Sequence, residues 1–395
     1  MMISAALLVS CFLTQDPVAP VLEVSAGSVA REASPTRARI PRQSWKPGPG
    51  QLLLVAGDIE RTAQVVAVPT SKDELEIVWI EDALPAESTR QYRLRGIESH
   101  QPTFEIQDGD GFRALMYGEQ PIYRHEIRFD EDDLETTKKV YTQLFGWHDE
   151  GFITKGAGGL HPHHRGVFAG WTAKIGDQTA NFWVCNNGAT IRHREFLMDF
   201  QVAGEVLARD TSRSDWIHAD GTTMVRETRR YETWQPTSGL LTLDVWLTLE
   251  AGSDQPVTLT GDPHHGGFQV RASQDVAADG GSAKFVRPES ASGGGNDIWQ
   301  DCPWIAMDFT VRGHRYTLLH IDHPSNPRPM VYSTRPYGRT GSFAEATLEP
   351  GQPLVMRYRL ILFVRSQHES LDATELHRRY QDFVQPANCR LAQGG

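Results

Sequence analysis

The stretch Thr222-Thr223-Met224-Val225-Arg226-Glu227-Thr228-Arg229-Arg230-Tyr231-Glu232-Thr233-Trp234, followed by the turn residues 236–239 (PTSG) and the apolar run 240–249 (LLTLDVWLTL), decides the fold class. β-Branched and aromatic side chains recur through both runs, and the turn chemistry between them predicts two consecutive antiparallel strands. Within the first, Glu227 and Arg229 share a face and alternate with Arg226 and Thr228. The same spacing extends upstream. Residues 112–117, 126–129 and 140–144 read as strands, with the acidic turn 130–133 between the last two; 170–175 and 180–184 follow, joined by Gly176-Asp177, and then 198–207. Helical periodicity emerges only in residues 371–383, where Leu376, Tyr380 and Phe383 fall on one face behind Ser370 and Asp372 as caps. The expected architecture is all-β: a small N-terminal β-sandwich module, then a large antiparallel β-sandwich or supersandwich, then a short C-terminal helix.

The chain divides accordingly. Residues 3–13 (ISAALLVSCFL) form a short apolar run with polar Thr14-Gln15-Asp16 behind it, which predicts an export signal over residues 1–20 and a periplasmic or extracellular destination. Leu8-Val9-Ser10-Cys11 resembles a bacterial lipobox, so lipid anchoring is the variant form of this expectation. Residues 21–46, rich in Pro, Ser, Ala and Arg, read as a flexible linker; 47–100 as the small β module; and 101–385 as the large domain. Lys and Arg number 39 against 50 Asp and Glu, a net charge of −11, which argues against a nucleic-acid partner. No later run approaches the roughly 20 apolar residues of a membrane-spanning helix. Beyond Cys11 stand Cys185, Cys302 and Cys389, with no CxxC pair, which allows one disulfide at most and excludes a cysteine-based zinc ribbon.

The chemistry concentrates in Gly156-Ala157-Gly158-Gly159-Leu160-His161-Pro162-His163-His164-Arg165-Gly166. Three imidazoles and a guanidinium stand behind a glycine run, and glycine permits positive φ or close backbone approach to a ligand. On an extended backbone His161 and His163 point one way and His164 the other. Two later stretches echo this one: Asp262-Pro263-His264-His265-Gly266-Gly267, and His320-Ile321-Asp322-His323, which leads into Pro324-Ser325-Asn326-Pro327-Arg328. The sequence reading expects His161, His163 or His164, His264 or His265, and His323 to meet in one pocket at the strand ends. If that pocket takes a metal, His161 and His163 with Asp322 or Glu227 favour a divalent transition metal (zinc, nickel, iron or manganese) over calcium.

Taken in order, His161 to Gly166, Phe182-Trp183, Glu227-Thr228-Arg229, Gly266-Gly267-Phe268 ahead of Arg271, and His323 to Arg328 with Tyr337-Gly338 resemble the PmoA-like family over residues 104–366. That family is named after a methane oxygenase subunit and is soluble, with function unsettled. Leu160 stands where the family carries Asp, and His264-His265 where it often carries an acidic residue. The resemblance implies a sandwich fold with these motifs around one site.

Export and polar site chemistry point to a small-molecule or oligosaccharide ligand. Sugars offer CH faces to aromatics such as Trp171, Phe182, Trp183, Trp299 and Trp304, and hydroxyls to His, Arg, Asp and Asn. As a carbohydrate-active hydrolase, lyase or isomerase, the chain would use His161, His163, His164, His323 or Glu227 as acid and base. Arg165, Trp183, Arg229, His264, His265, Arg271, Asn326, Arg328 and Tyr337 would hold the substrate. The competing readings are a non-catalytic carbohydrate-binding module, which needs aromatics but no paired titratable groups, and a structural cell-surface component, which needs neither.

Overall fold

The computed structural model describes residues 21–44, 50–68, 71–96, 103–147, 151–237, 239–278, 280–366 and 369–392. The expected signal segment and lipobox lie outside them. The decisive hairpin forms as expected, with Thr223–Trp234 and Leu240–Ala251 paired antiparallel from Val225↔Ala251 to Thr233↔Leu243. They sit centrally in a sheet whose order is Thr190–Phe196, Leu207–Ile217, Thr223–Trp234, Leu240–Ala251, Leu354–Arg365, His314–Asp322, Trp304–Val311 and Lys284–Val286.

A ten-stranded sheet packs against it, running from Ser292–Gly293 through Ile298–Gln300, Val331–Arg335, Arg339–Phe343, Gly267–Arg271, Val167–Gly170 and Tyr141–Leu144 to Gln120–Glu126, Phe112–Tyr117 and Phe104–Gly109. Side chains alternate across each strand, so Phe268 and Val270 enter the shared core with Val167, Ala169, Met307 and Leu360. Phe268 stacks on Tyr358 of the facing sheet at 4.2 Å between ring centroids and 7° between planes. The all-β sandwich expectation therefore holds, and the C-terminal helix is Ala373–Val384, capped by Asp372 accepting from the Thr374 N–H at 2.8 Å. Leu376 and Phe383 bury its apolar stripe. No helix among the described residues is long and apolar enough to cross a membrane.

Three local readings are corrected. Residues 21–46 are not a linker through their described part, because Val21–Ser25 and Ser34–Pro41 are strands of a seven-stranded N-terminal sheet. Alternation explains it: Leu22, Val24, Ala38 and Ile40 are buried in the module's core while Arg37 and Arg39 lie on the opposite face, where Arg37 meets Glu232 at 2.9 Å, a pattern masked in composition by proline and arginine. The chain's last strand, Asn388–Leu391, closes onto Val21–Ser25, so the module draws on both ends of the chain. Residues 198–207 hold only a 3-10 turn and the two-residue strand Val202–Ala203; the long strand is Leu207–Ile217. Finally, 126–129 contributes only its first residue to Gln120–Glu126. Cys185, Cys302 and Cys389 are all free thiols.

His320 is fully buried between Phe268, Tyr332 and Tyr358, and neither ring nitrogen has a hydrogen-bond partner among the described residues. Burial lowers its pKa to about 3. Between that value and the ordinary 6.5 the unfolded chain takes a proton that the native state refuses, so stability falls as pH drops through this window. Asp322 and Asp382, both raised to about 6 by burial, act in the opposite direction between 3.8 and 6. His320→Leu should melt at or above wild type at pH 8, and gain further as pH falls below 6.5 by up to about 1.4 kcal/mol per pH unit. A thermal melt series from pH 4.5 to 8 checks this; parallel curves for the two proteins would refute it.

Candidate functional site

The site lies on the outward face of the ten-stranded sheet. Val167–Gly170 pairs with Gly267–Arg271, which pairs with Arg339–Phe343, and the register sets Phe168 opposite Gln269 and Arg271 opposite Arg339. These side chains share the face turned away from the core. Gln269 lies over Gly341, where a Cβ would come within 2.1 Å of its amide, and receives the Arg339 guanidinium at 3.0 Å. Gly267 has φ +90°, and a Cβ there would sit 1.9 Å from the Ser342 carbonyl oxygen. Gly267→Ala should therefore cost about 1–3 kcal/mol from the backbone alone, and more from the clash. A wild-type melting temperature in that variant would show that the backbone at Gly267 does not hold this conformation against Ser342.

The extended alternation expected for residues 161–164 does not occur. Gly158 (φ +77°), Gly159 (φ +64°) and His161 (φ +52°) bend the chain, and the His164 N–H closes a turn on the His161 carbonyl at 2.9 Å. All three imidazoles consequently gather on one side, with centroid separations of 4.5 Å for His163–His164, 4.9 Å for His161–His164 and 6.1 Å for His161–His163. Trp183 backs them, 5.1 Å from His163 and 5.0 Å from His164, and touches His265 at 5.1 Å. Tyr337 flanks His161 at 5.1 Å and lies under the Arg271 guanidinium at 4.7 Å. His264 is fixed by Arg339 at 3.2 Å, Arg335 at 3.1 Å and Asn296 at 3.0 Å. A pocket of about 280 Å³ opens beside the glycine run, lined by Lys155, residues 156–159, Ser273 and Gln274.

Burial and surrounding cations keep the imidazoles uncharged. His163 is lowered to about 3, first by burial and then by Lys139; His164 falls further below its ordinary range through burial, with His163 and Arg339 adding. His264 is lowered to about 4, by burial and then Arg335. Sequence reasoning missed two amines here. Lys139 is buried, donates to the Trp183 carbonyl, lies 4.3 Å above the Phe168 ring, and is lowered to about 7 by burial. Lys155 bonds the carbonyls of Gly156 at 3.1 Å and His164 at 3.2 Å, and burial takes it to about 8. Neither belongs to a motif, so only the fold reveals them. Arg339 was also missed, although alternation from Tyr337 offered a signal.

The third expected stretch stays apart. Asp322 binds Arg328 and Asn326, each at 2.8 Å, while His323 bonds Ser325 at 2.7 Å and packs on Phe383 at 5.3 Å. Arg328 in turn donates to the His323 carbonyl at 2.9 Å. These residues tie down their own loop. Glu227 and Arg229 form a buried ion pair at 2.7 Å, with the Trp216 indole donating to Glu227 at 2.9 Å. The trio His161, His163 and Asp322 therefore does not assemble, and no group of three or more His, Cys, Asp or Glu among the described residues is arranged to hold a metal ion. The aromatic platform is corrected too. Trp171, Phe182, Trp183 and Trp304 are fully buried, and Trp299 lies under Arg287 at 3.6 Å, which leaves half-buried Tyr337 as the aromatic ring available at the site.

With this geometry in view, the chain belongs to a family of unknown function (DUF6807), whose model matches residues 114–380. That match corrects the PmoA-like assignment, which no family match supports. No curated protein matches the chain. Among solved structures, the crystal structure of Pseudomonas aeruginosa OccK10 (OpdN) covers 88% of this chain and 99% of that chain at 12% identity, with a TM-score of 0.13, too slight a likeness to carry argument.

Proposed function

We propose that the chain is a carbohydrate-active enzyme that moves protons on a small sugar or oligosaccharide at the His161, His163 and His164 cluster. The observation that carries this reading is the packing of three uncharged imidazoles within 6.1 Å of one another, next to the glycine run whose residues 156–159 line a pocket. A neutral imidazole accepts a proton at ordinary pH, and a neighbour that has been protonated in the reaction returns one. Acid and base here are imidazoles rather than paired carboxylates, which favours lyase or isomerase chemistry over the two-carboxylate route of most glycoside hydrolases. Tyr337, Arg271 and His265 then position the substrate, and Trp183 holds His163 and His164 in place.

The proposal includes export, and a divalent transition metal only as an ion held by fewer than three protein ligands, since no group of three or more assembles among the described residues. His161 and His163 are the ligands such an ion would find, and it would supply Lewis acidity toward a sugar oxygen. The test is turnover of sugar oligosaccharides by wild type and by His163→Ala at equal melting temperature. Turnover lost only in the variant supports the enzyme. Ligand binding without turnover in both favours a binding module.

A further inference from the structure

We propose that the ligand of the histidine cluster is an acidic sugar, and that Lys139, Arg165, Arg271 and Arg339, with Lys155 at the pocket wall, form the seat for its carboxylate. This rests on the reading of the cluster as a sugar site and names the substrate class that the site takes.

Pairing is the starting point. Elsewhere in this chain a buried arginine meets a carboxylate: Arg209 with Glu232 at 2.7 Å, Arg359 with Asp244 at 2.8 Å, and Arg113 with Asp210 at 3.1 Å. At the cluster the pattern fails. Lys139, Arg165, Arg271, Arg339 and Lys155 are each no more than 3% exposed, and none has a carboxylate partner among the described residues. Their hydrogen bonds go to backbone carbonyls, to Gln269 and to the His264 ring. Aromatic faces compensate in part, with Arg165 5.5 Å from the Tyr141 centroid, Arg271 4.7 Å from Tyr337 and Lys139 4.3 Å from Phe168.

Donors are left over. The Arg271 Nε and Nη2, the Arg165 Nε and the Arg339 Nε are buried without a hydrogen-bond partner among the described residues, as are the Trp183 Nε1 and the His164 Nδ1. Arg271 and Arg339 also stand directly opposite each other across two paired strands, an arrangement of like charges that destabilises a sheet. Burying several unpaired cations in a protein of net charge −11 costs stability unless an anion shares the site. A guanidinium pair presents the forked donors that match a carboxylate, and the neighbouring imidazoles and Tyr337 suit hydroxyls. The 280 Å³ pocket has room for one sugar ring, and of the five cations Lys155 lines it.

The acidic group also defines a balanced reaction for the neutral imidazoles. With the carboxylate held by cations, an imidazole removes the proton on the carbon next to it. The electron pair forms a C=C bond as the adjacent C–O bond breaks, and the departing oxygen takes that same proton back from the imidazolium, directly or relayed through a neighbouring imidazole. No oxidant, reductant or water is consumed.

The test is calorimetric titration of the full chain at low salt with galacturonate and glucuronate oligosaccharides. Each is compared with the same oligosaccharide after its carboxyls are reduced to neutral alcohols, and inorganic phosphate is a further arm. The acid form should bind at least about tenfold more tightly than its reduced form, and lose that margin as salt rises. Lys139→Met should weaken acid binding by about tenfold while the ligand-free variant melts at or above wild type, because an unpaired buried charge has been removed. Arg271→Gln tests the guanidinium seat by the same titration if Lys139→Met does not fold. Equal binding of acid and reduced forms overturns the proposal, and so does binding of phosphate with no binding of any acidic sugar. The two readings fail separately: acidic sugars bound without turnover sink the enzyme and keep the seat, whereas neutral sugars turned over as fast as acidic ones keep the enzyme and sink the seat.

Discussion

Glu227→Ala should lose about 3–5 kcal/mol of stability, enough to leave little folded protein, while the cluster chemistry of whatever remains folded is unchanged. Glu227 and Arg229 are both 1% exposed, paired at 2.7 Å within the central sheet, and the Trp216 indole N–H depends on the same carboxylate at 2.9 Å. Truncation strands a guanidinium and an indole N–H in an apolar interior at once. Burial works to lower the arginine's pKa and Glu227 to raise it; a guanidinium is not deprotonated in proteins, so the charge persists when its partner is gone. The double variant Glu227→Leu/Arg229→Leu should recover much of the loss, since neither charge is then left alone. Thermal and urea melts measure both. A stable Glu227→Ala protein that has lost turnover would instead return Glu227 to the catalytic group.

Glu227 also shows what a sequence does and does not reveal. The alternation that places Glu227 and Arg229 on one face is local and legible, and the strand formed as read. Which face meets the core is a property of the opposing sheet, and a charged pair on the core face resembles a solvated one in the sequence. The same limit hid Leu207–Ile217, whose Arg209, Asp210, Ser212 and Ser214 are polar yet all buried. Arg209 and Asp210 meet Glu232 and Arg113, partners distant in the sequence.

At the site, the first two histidine stretches met because their strands, Val167–Gly170 and Gly267–Arg271, are neighbours. The third ends the strand His314–Asp322, which belongs to the facing sheet, and so it serves its own loop. Composition suggested aromatic platforms, but large aromatic rings are also the best core fillers, and four of the five became core. Lys139 and Lys155 were illegible for the opposite reason. A lysine is ordinary at the surface, and only three-dimensional burial makes its charge exceptional.

His163→Ala should lower kcat by about 10²–10⁴-fold with little change in melting temperature. Of the three clustered imidazoles, His164 is 3% exposed and wedged against Trp183, so its replacement opens a hole. His163 is only partly buried and touches Trp183 and both neighbours, so its loss removes a proton carrier rather than a support. Its pKa of about 3 reflects burial first and Lys139 second. A bound carboxylate cancels the second cause, so the acid limb of kcat should lie at higher pH than that of kcat/KM, which reports the free protein. Lys139, lowered to about 7, is charged below that pH and neutral above it, so kcat/KM for an acidic substrate should decline as pH rises past about 7. In Lys139→Met that basic decline should vanish and the acid limb of His163 should move up, because a neighbouring positive charge is gone. Steady-state kinetics from about pH 2.5 to 9 on the three proteins measures each limb. Undiminished kcat in His163→Ala would remove His163 from the reaction. An unaltered basic limb in Lys139→Met would assign that ionisation to another group, with Lys155 at about 8 the next to replace.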